Sequence, residues 1–132
     1  MYPFRRESED GLIIVTLTFD GKHEFDMMVD TGASHTTIDS NVLYQIDYNL
    51  SNAVGVVPVE TANGIIEVEI FEVGSISALG LTREHFQVHV YDFLAHGILS
   101  DYDGVLGLDF FEKTKFCIDM LENTITVGSA NT

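Results

Sequence analysis

Short β-branched runs separated by tight-turn dipeptides are the feature that most restricts the fold of this chain. Residues 12–19 read LIIVTLTF, and Asp20-Gly21 directly after them tolerates the positive φ angles of a two-residue hairpin turn. Residues 23–29 then return as a second strand, and Asn63-Gly64 separates another pair of apolar runs in the same way. Because short turns of this kind join antiparallel neighbours, the pattern predicts an all-β domain.

The remaining predicted elements are also short. Further strand-like runs cover residues 54–60, 65–73, 86–90, 104–108, 115–119 and 124–127. Asp39 or Ser40 is a candidate N-cap for a short helix over 41–46, and Asp109 for a second over 110–114. Hairpin signals at such short intervals, with one or two short helices, predict a closed β-sheet or barrel.

Length and turn residues set the remaining boundaries. Residues 74–80 have a loop-like composition and predict an irregular connection. The 132 residues suit one domain, with residues 1–11 as a flexible or interface arm.

Charge and cysteine content exclude several classes of function. The chain has 6 basic and 21 acidic residues, a formal net charge of −15, which predicts no binding to nucleic acid or to anionic membranes. The single cysteine, Cys117, rules out an internal disulfide. With no signal-peptide pattern and no apolar run near the ~20 residues of a membrane span, we expect a soluble domain, cytoplasmic rather than secreted. Whether it is part of a longer protein stays open.

The stretch FDMMVDTGASHTTID, residues 25–39, contains the strongest candidate for a functional group. An apolar strand ends there in Asp30, and small residues follow it. A carboxylate removed from water is unfavourable unless it is hydrogen-bonded or used, and a loop that leaves a paired strand is a rigid support for a functional side chain. Asp30 is therefore either a structural turn residue or the working group of an active site.

Two short motifs carry a resemblance to a known family. Asp30-Thr31-Gly32-Ala33, preceded by apolar residues, and the later Val105-Leu106-Gly107 resemble the two hallmarks of retropepsin-like aspartic proteases. The resemblance extends over residues 12–127. It implies a closed acid-protease barrel of the retropepsin type and an aspartic endopeptidase with Asp30 as its catalytic residue. Because the chain has one Asp-Thr-Gly, it also implies a homodimer in which two copies of Asp30 meet on a two-fold axis.

The resemblance also assigns roles to individual residues. Two adjacent carboxylates that share one proton would activate a water molecule against the peptide bond. Thr31 would bond across the axis, Gly32 would allow close approach of the backbone, and Ala33 would leave room beside the carboxylate. An extended peptide or protein substrate is implied, and no cofactor or metal. The substrate-binding residues would be Ser34 and His35 on the loop, and Ala62, Asn63, Gly64 and Ile65 at the tip of a hairpin that resembles the flap.

The sequence departs from the retroviral members of the family at two places. Ser34 and His35 stand where those enzymes carry an acidic residue, and Leu108-Asp109 stands where they often carry an arginine that pairs with it. We therefore expect a different contact to stabilise the loop, and substrate choice to be set near Ser34 and His35. The departures fit a bacterial or cellular member of the superfamily better than a retroviral one.

Other interpretations stay open beside this one. The same fold could serve as a dimerisation or peptide-binding module with little or no cleavage, or the barrel could be a monomeric, lipocalin-like carrier of a small molecule. His85, Gln87 and His89 share one side of an alternating strand, which indicates a solvated face rather than a metal site. Residues 101–104 read as a turn rather than a calcium loop.

Overall fold

The structure is a computed structural model and describes residues 1–6, 11–98 and 101–129. Its strands are β1 (Tyr2–Pro3), β2 (Arg5–Arg6), β3 (Ile13–Phe19), β4 (His23–Val29), β5 (Thr37–Asp39), β6 (Gly55–Thr61), β7 (Gly64–Ala78), β8 (Leu81–Tyr91), β9 (Gly104–Leu106), β10 (Thr114–Asp119) and β11 (Thr124–Ser129). One α-helix, α1 (Ser40–Gln45), follows β5, and 3-10 turns cover Leu94–His96 and Leu108–Phe111. In the described ranges no helix has the length and hydrophobicity needed to cross a membrane.

Six of these strands close into a ring. Their order is β3-β4-β9-β5-β8-β7, and β7 returns to β3 through the pairs Thr18–Ser77 and Phe19–Ile76. The predicted closed β-barrel is therefore confirmed. β6 pairs with β7 alone and so forms an edge of the sheet, a position that tolerates Pro58, which has no backbone N–H.

The ring encloses a core of alternating apolar side chains. Leu17, Met27, Ile38, Val88 and Leu106 come from five different strands of the ring, and all five are fully buried. The alternation follows the two-residue period of a strand, so each strand presents one apolar face inward. This packed interior holds the ends of β4 and β9 in fixed positions relative to each other.

Two local predictions are confirmed: the tight turn at Asp20-Gly21 and the N-cap of α1. Asp20 and Gly21 both have positive φ, and the N–H of Lys22 donates to the Phe19 carbonyl at 3.0 Å, which closes the tight turn; because Phe19 pairs with His23, the connection has three residues rather than two. At α1, the Asp39 carboxylate accepts from the Asn41 N–H at 3.1 Å and is the N-cap.

The prediction of a loop at residues 74–80 is wrong, because β7 continues to Ala78. Ile76 and Ala78 in this segment are buried, and its backbone pairs with both β8 and β3. Gly74, Ser75 and Ser77 gave this segment a low apparent strand propensity. Its pairing with the neighbouring strands determined the conformation instead. The second predicted helix is also wrong in type and length: residues Leu108–Phe111 form a 3-10 turn, and Thr114 already begins β10.

The first six residues pack along the body of their own chain. Tyr2 of β1 pairs with Ile125 of β11, and the Phe4 side chain is buried. Arg5 forms an ion pair with Asp26 of β4 at 2.6 Å. The rest of the predicted arm includes residues 7–10, which lie outside the described residues.

Candidate active site

The two sequence hallmarks lie side by side in the barrel. β4 and β9 run parallel, with Val29 opposite Leu106, and the Asp30 N–H donates to the Leu106 carbonyl at 3.1 Å. Asp30 therefore stands at the end of a buried strand whose position is fixed by its neighbour. The pairing joins segments that are far apart in the sequence.

Short hydrogen bonds hold the loop that begins at Asp30. The Gly32 N–H donates to Asp30 Oδ1 at 2.9 Å, and the Ala33 N–H donates to the Asp30 carbonyl at 3.1 Å. Asp30 is half-buried, whereas Thr31 and Gly32 are exposed. The loop thus presents a restrained carboxylate, with the residues directly after it open to solvent.

A buried threonine and a carboxylate fasten the far end of this loop. Thr36 is fully buried and is the one buried polar residue in the part of the chain that the structure describes. Its hydroxyl donates to Asp109 Oδ1 at 2.7 Å, and its N–H donates to the two carboxylate oxygens of Asp109 at 2.9 and 3.0 Å. Charge-assisted bonds of this kind are stronger than neutral ones.

Gly107 lets its own backbone pack closely against the backbone of the loop at Ala33 and His35. Its N–H donates to Thr36 Oγ1 at 3.2 Å. A Cβ at Gly107 would lie 2.7 Å from the carbonyl carbon of His35 and 2.9 Å from the carbonyl oxygen of Ala33, closer than real Cβ atoms approach backbone. Only glycine fits there without displacing the loop. We expected some other contact to stabilise the loop in place of the acid–arginine pair. The hydrogen bonds among Thr36, Asp109 and Gly107 have this position.

One further carboxylate, that of Asp103, connects β4 with the start of β9, and the Asp103 backbone also bonds to β5. The Asp26 N–H donates to Asp103 Oδ2 at 2.8 Å, and the Asp103 N–H donates to the Asp26 carbonyl at 2.7 Å. The Asp39 N–H donates to the Asp103 carbonyl at 3.0 Å. Burial raises the pKa of Asp103, and the charges of Asp26 and Asp39 raise it further, while the Asp26 N–H opposes this rise.

Asp103→Asn is expected to stabilise the protein more at neutral pH than at acidic pH. A carboxyl whose pKa is raised by folding binds its proton more tightly in the folded state, so its contribution to stability falls as pH rises from the unfolded to the folded pKa. Asparagine removes this loss and keeps an oxygen that can accept from Asp26. Urea unfolding at about pH 4 and pH 7 measures the difference. Glu67→Gln, at an exposed position, is the control, and a loss of stability at pH 7 in Asp103→Asn would contradict the prediction.

A cavity of about 620 Å³ lies between the loop and the edge strand β6. The loop side is formed by residues 32–35 and Thr37, and the opposite side by residues 57–60. Ile70, Gln87 and His89 from β7 and β8 complete the lining. The cavity has the size of a small-ligand or side-chain site and is open to solvent on one side.

Two stacked histidines line this cavity, of which His35 is exposed and His89 is half-buried. The rings of His35 and His89 are 4.3 Å apart between centroids and 12° from parallel. Ser34 Oγ lies 3.0 Å from His35 Nδ1. Burial lowers the pKa of His89, the neighbouring His35 lowers it further, and the Asp109 carboxylate partly offsets both.

The structure brings together some of the sequence-predicted site residues and separates others. Gly32, Ala33, Ser34 and His35 line the cavity, and Val105, Leu106 and Gly107 lie beside the loop. Ala62, Asn63, Gly64 and Ile65 occupy the exposed tip of the β6–β7 hairpin and do not line this cavity.

The hairpin tip is a tight turn, although Asn63-Gly64 is not its central pair. Thr61 pairs with Gly64, so Ala62 and Asn63 make the turn. The Asn63 N–H donates to Thr61 Oγ1 at 3.2 Å, and Gly64 has φ 116°, a value that other residues rarely adopt. The tip is thus closed by a threonine and a glycine.

Several residues of the site were not singled out from the sequence. Thr36 and Asp109 meet across the fold, and residues 57–60 contribute a cavity wall although they belong to a recognised hairpin. His89 was assigned to a solvated face, yet it is half-buried against His35. A cluster of three or more metal-ligating side chains is absent from the described ranges.

Comparisons with known proteins agree with this geometry. A family model described as aspartyl protease matches residues 15–110. A comparison with curated protein sequences finds no match. The fold is similar to that of a retropepsin-like aspartic protease from Rickettsia conorii, with a TM-score of 0.65 and 22% identity over 94% of this chain and 95% of that one.

A second similar structure is the retroviral protease-like domain of Ddi1 from Leishmania major. Its TM-score is 0.60, with 15% identity over 92% of this chain and 88% of that one. Likeness at these identities establishes the retropepsin-like fold. Together with the family match over residues 15–110, it leads to one conclusion: the chain belongs to the aspartyl protease family.

Proposed function

We propose that this chain, residues 1–132 acting as one domain, is an aspartic endopeptidase that works as a homodimer. The observation that carries the proposal is the position of Asp30. Its carboxylate is held by the Gly32 N–H at the end of a buried strand, while the next two residues are exposed. This is the arrangement that a dyad needs, since the carboxylate is fixed and a second one can approach it.

The second carboxylate would come from another copy of the chain. The sequence contains one Asp-Thr-Gly, so a symmetric pair of aspartates requires two protomers related by a two-fold axis. In that pair the exposed Thr31 would face the partner and bond across the axis. A separate protomer would lack half of the catalytic group, and dimerisation would therefore control activity.

The chemistry of such a dyad balances without a cofactor. One Asp30 carboxylate takes a proton from water as the water oxygen bonds to the peptide carbonyl carbon, and the protonated Asp30 of the partner donates to the carbonyl oxygen. The tetrahedral intermediate then collapses. Its C–N bond breaks, the amine receives a proton from the dyad, and the new carboxyl group leaves. Two adjacent carboxylates share one proton because both cannot easily be charged at once.

An extended peptide would lie between the loop and the β6–β7 hairpin. The hairpin then has the role of a flap, and Ala62, Asn63, Gly64 and Ile65 at its tip would contact the substrate after closure. Val57 and Val59 already face the cavity, where they can pack against substrate side chains. Peptide backbone would pair as an added strand.

A peptide-binding module without cleavage is the second candidate. The cavity beside the loop favours it, because a site of about 620 Å³ can hold a side chain whether or not bond breaking follows. The two candidates differ in product formation. They share the fold and the proposed dimer.

The proposed function is tested by digestion of an unfolded protein across about pH 4 to 7, the range in which a shared proton is available. The purified protein is incubated with and without a peptide-like aspartic protease inhibitor, and products are identified by mass spectrometry. We expect cleavage that the inhibitor abolishes. Peptide binding without products at any pH would instead establish the module and contradict the protease.

A further inference from the structure

The cavity beside the active-site loop has two chemically different walls. Hydroxyl and imidazole groups come from the loop side, from Ser34, His35 and Thr37, and β8 beside it adds the imidazole of His89 and the amide of Gln87. The opposite wall, from β6, is aliphatic over residues 57–59. Of the described residues that line the cavity, Glu60 at its rim is the one carboxylate. This is an unusual local composition in a chain of net charge −15.

We infer that this cavity selects a substrate side chain that ends in a carboxylate, with glutamate as the best fit. The inference rests on the proposed function, because it names the class of peptide that the same site accepts. The donors of His35, His89 and Gln87 would face the carboxylate, and the aliphatic wall would pack against the methylene groups that precede it. Glutamate has both parts, whereas aspartate has a shorter stem.

The stacked histidines explain why a carboxylate is preferred over a neutral group. The ring centroids are 4.3 Å apart, so His35 opposes a positive charge on His89 in the empty cavity. A bound carboxylate supplies the missing counter-charge and makes hydrogen bonds to charged donors, which are stronger than bonds to neutral ones. A lysine side chain would meet the same histidines as a like charge.

Other groups around His89 determine how strongly binding depends on pH. Thr37 of β5 and Ile70 of β7 are its strand neighbours and do not titrate. Asp109 is the nearby carboxylate, and it is already engaged by Thr36.

Two further acidic groups face the cavity region from the hairpin strands. Glu72 of β7 pairs with Gln87, and Glu60 of β6 lies at the rim. Both are exposed, so solvent screens them more than it screens His89. Glu60 acts against a bound carboxylate, and its removal should strengthen binding.

The binding of a glutamate side chain should therefore be coupled to proton uptake. Burial and His35 keep the pKa of His89 low in the empty cavity, and a carboxylate ligand raises it. Affinity should rise as pH falls below the usual histidine range of about 6.5, and decline again near pH 4 as the ligand carboxyl is protonated. A neutral glutamine in the same place should bind with little dependence on pH.

The experiment uses a positional-scanning library of fluorescent peptides in which one position at a time is Glu, Gln, Lys or Ala. Binding is measured to the full chain carrying Asp30→Asn, and cleavage is measured with the wild-type chain. At about pH 5.5 we expect Glu to be favoured over Gln roughly tenfold at one position, in binding and in cleavage, and the ratio to approach one at about pH 8.

Variants connect the preference to the cavity. His35→Asn and His89→Asn should each reduce the Glu/Gln ratio several-fold, and Glu60→Gln should increase it. His85→Asn is the matched control, since His85 lies on the same strand as His89, is exposed and does not line the cavity. Far-UV circular dichroism verifies that each variant is folded.

The outcomes separate this inference from the proposed function. Selective binding of Glu peptides with no cleavage would support the inference and contradict the protease. Cleavage without a Glu preference at any pH, a preference that survives in both histidine variants, or no binding of any peptide would overturn the inference.

Discussion

Asp30→Asn is expected to lower peptide cleavage by at least about 10³-fold while the fold is unchanged. The asparagine cannot take a proton from water, and general acid–base groups contribute about 10²–10⁴ in rate. The Gly32 N–H can still donate to the asparagine oxygen, so the loop should keep its conformation. Activity is measured on an unfolded protein at about pH 5, where a shared-proton dyad can work. Circular dichroism and sedimentation report fold and association.

Asp47→Asn is the matched control for this experiment. It removes the same charge at an exposed position with φ 59°, a conformation that asparagine tolerates well. It should retain wild-type activity. If Asp30→Asn cleaved at the wild-type rate, the proposed mechanism would be wrong.

The Asp30→Asn variant also tests whether the dyad forms between two chains. A wild-type protomer paired with an Asp30→Asn protomer has one aspartate and should be inactive. At tenfold excess of the variant and random exchange, wild-type activity should fall to roughly one tenth. Unchanged activity in fully exchanged mixtures would mean that each chain cleaves without a partner's aspartate.

Asp109→Ala is expected to lower the free energy of unfolding by about 3 kcal/mol and to abolish most cleavage. The change leaves the hydroxyl and N–H of the fully buried Thr36 without their acceptor, and unsatisfied buried groups cost about 1–3 kcal/mol each. The loop from Asp30 to Thr36 also loses its attachment at one end. Urea unfolding at one fixed protein concentration measures the stability, because dimerisation makes stability concentration-dependent.

Two further variants define the cause of this loss. Glu24→Ala removes an exposed carboxylate and should change stability by less than about 0.5 kcal/mol. Adding Thr36→Val to Asp109→Ala removes the unsatisfied hydroxyl but leaves the N–H groups of Thr36 and Gly107 unpaired, so the double variant should stay well below the wild-type stability. A double variant as stable as the wild-type chain would contradict the importance of this network.

Local sequence signals predicted the barrel well where one short segment determined its own conformation. Asp20-Gly21 specified a turn, and the alternation in residues 13–19 specified one buried face. Residues 74–80 were misread because their pairing with β8 and β3, rather than their composition, keeps them extended. β5 has three residues, too few for any periodic pattern to be visible.

The centre of the candidate site was predicted, while its supports were not. Asp30 and Val105-Leu106-Gly107 were identified from their motifs, and the structure places them on adjacent strands. Thr36 and Asp109 are 73 residues apart, and His35 and His89 meet only because β5 pairs with β8. Contacts of this kind depend on strand order, which no local pattern contains.

The unequal lengths of the hairpin strands have a mechanical consequence. β7 pairs with β8 only from Glu69 onward, and the Val68 side chain is buried, so residues 64–67 are the part whose strand pairing is with β6 alone. If the hairpin closes on substrate as proposed, we expect this part to move as a lever arm about 13 Å long, at about 3.3 Å per residue. Its pivot lies at Glu69 and Ile70, where both neighbours overlap, and Ile70 also lines the cavity. We therefore expect displacement of the tip to change the shape of the cavity that the two histidines line.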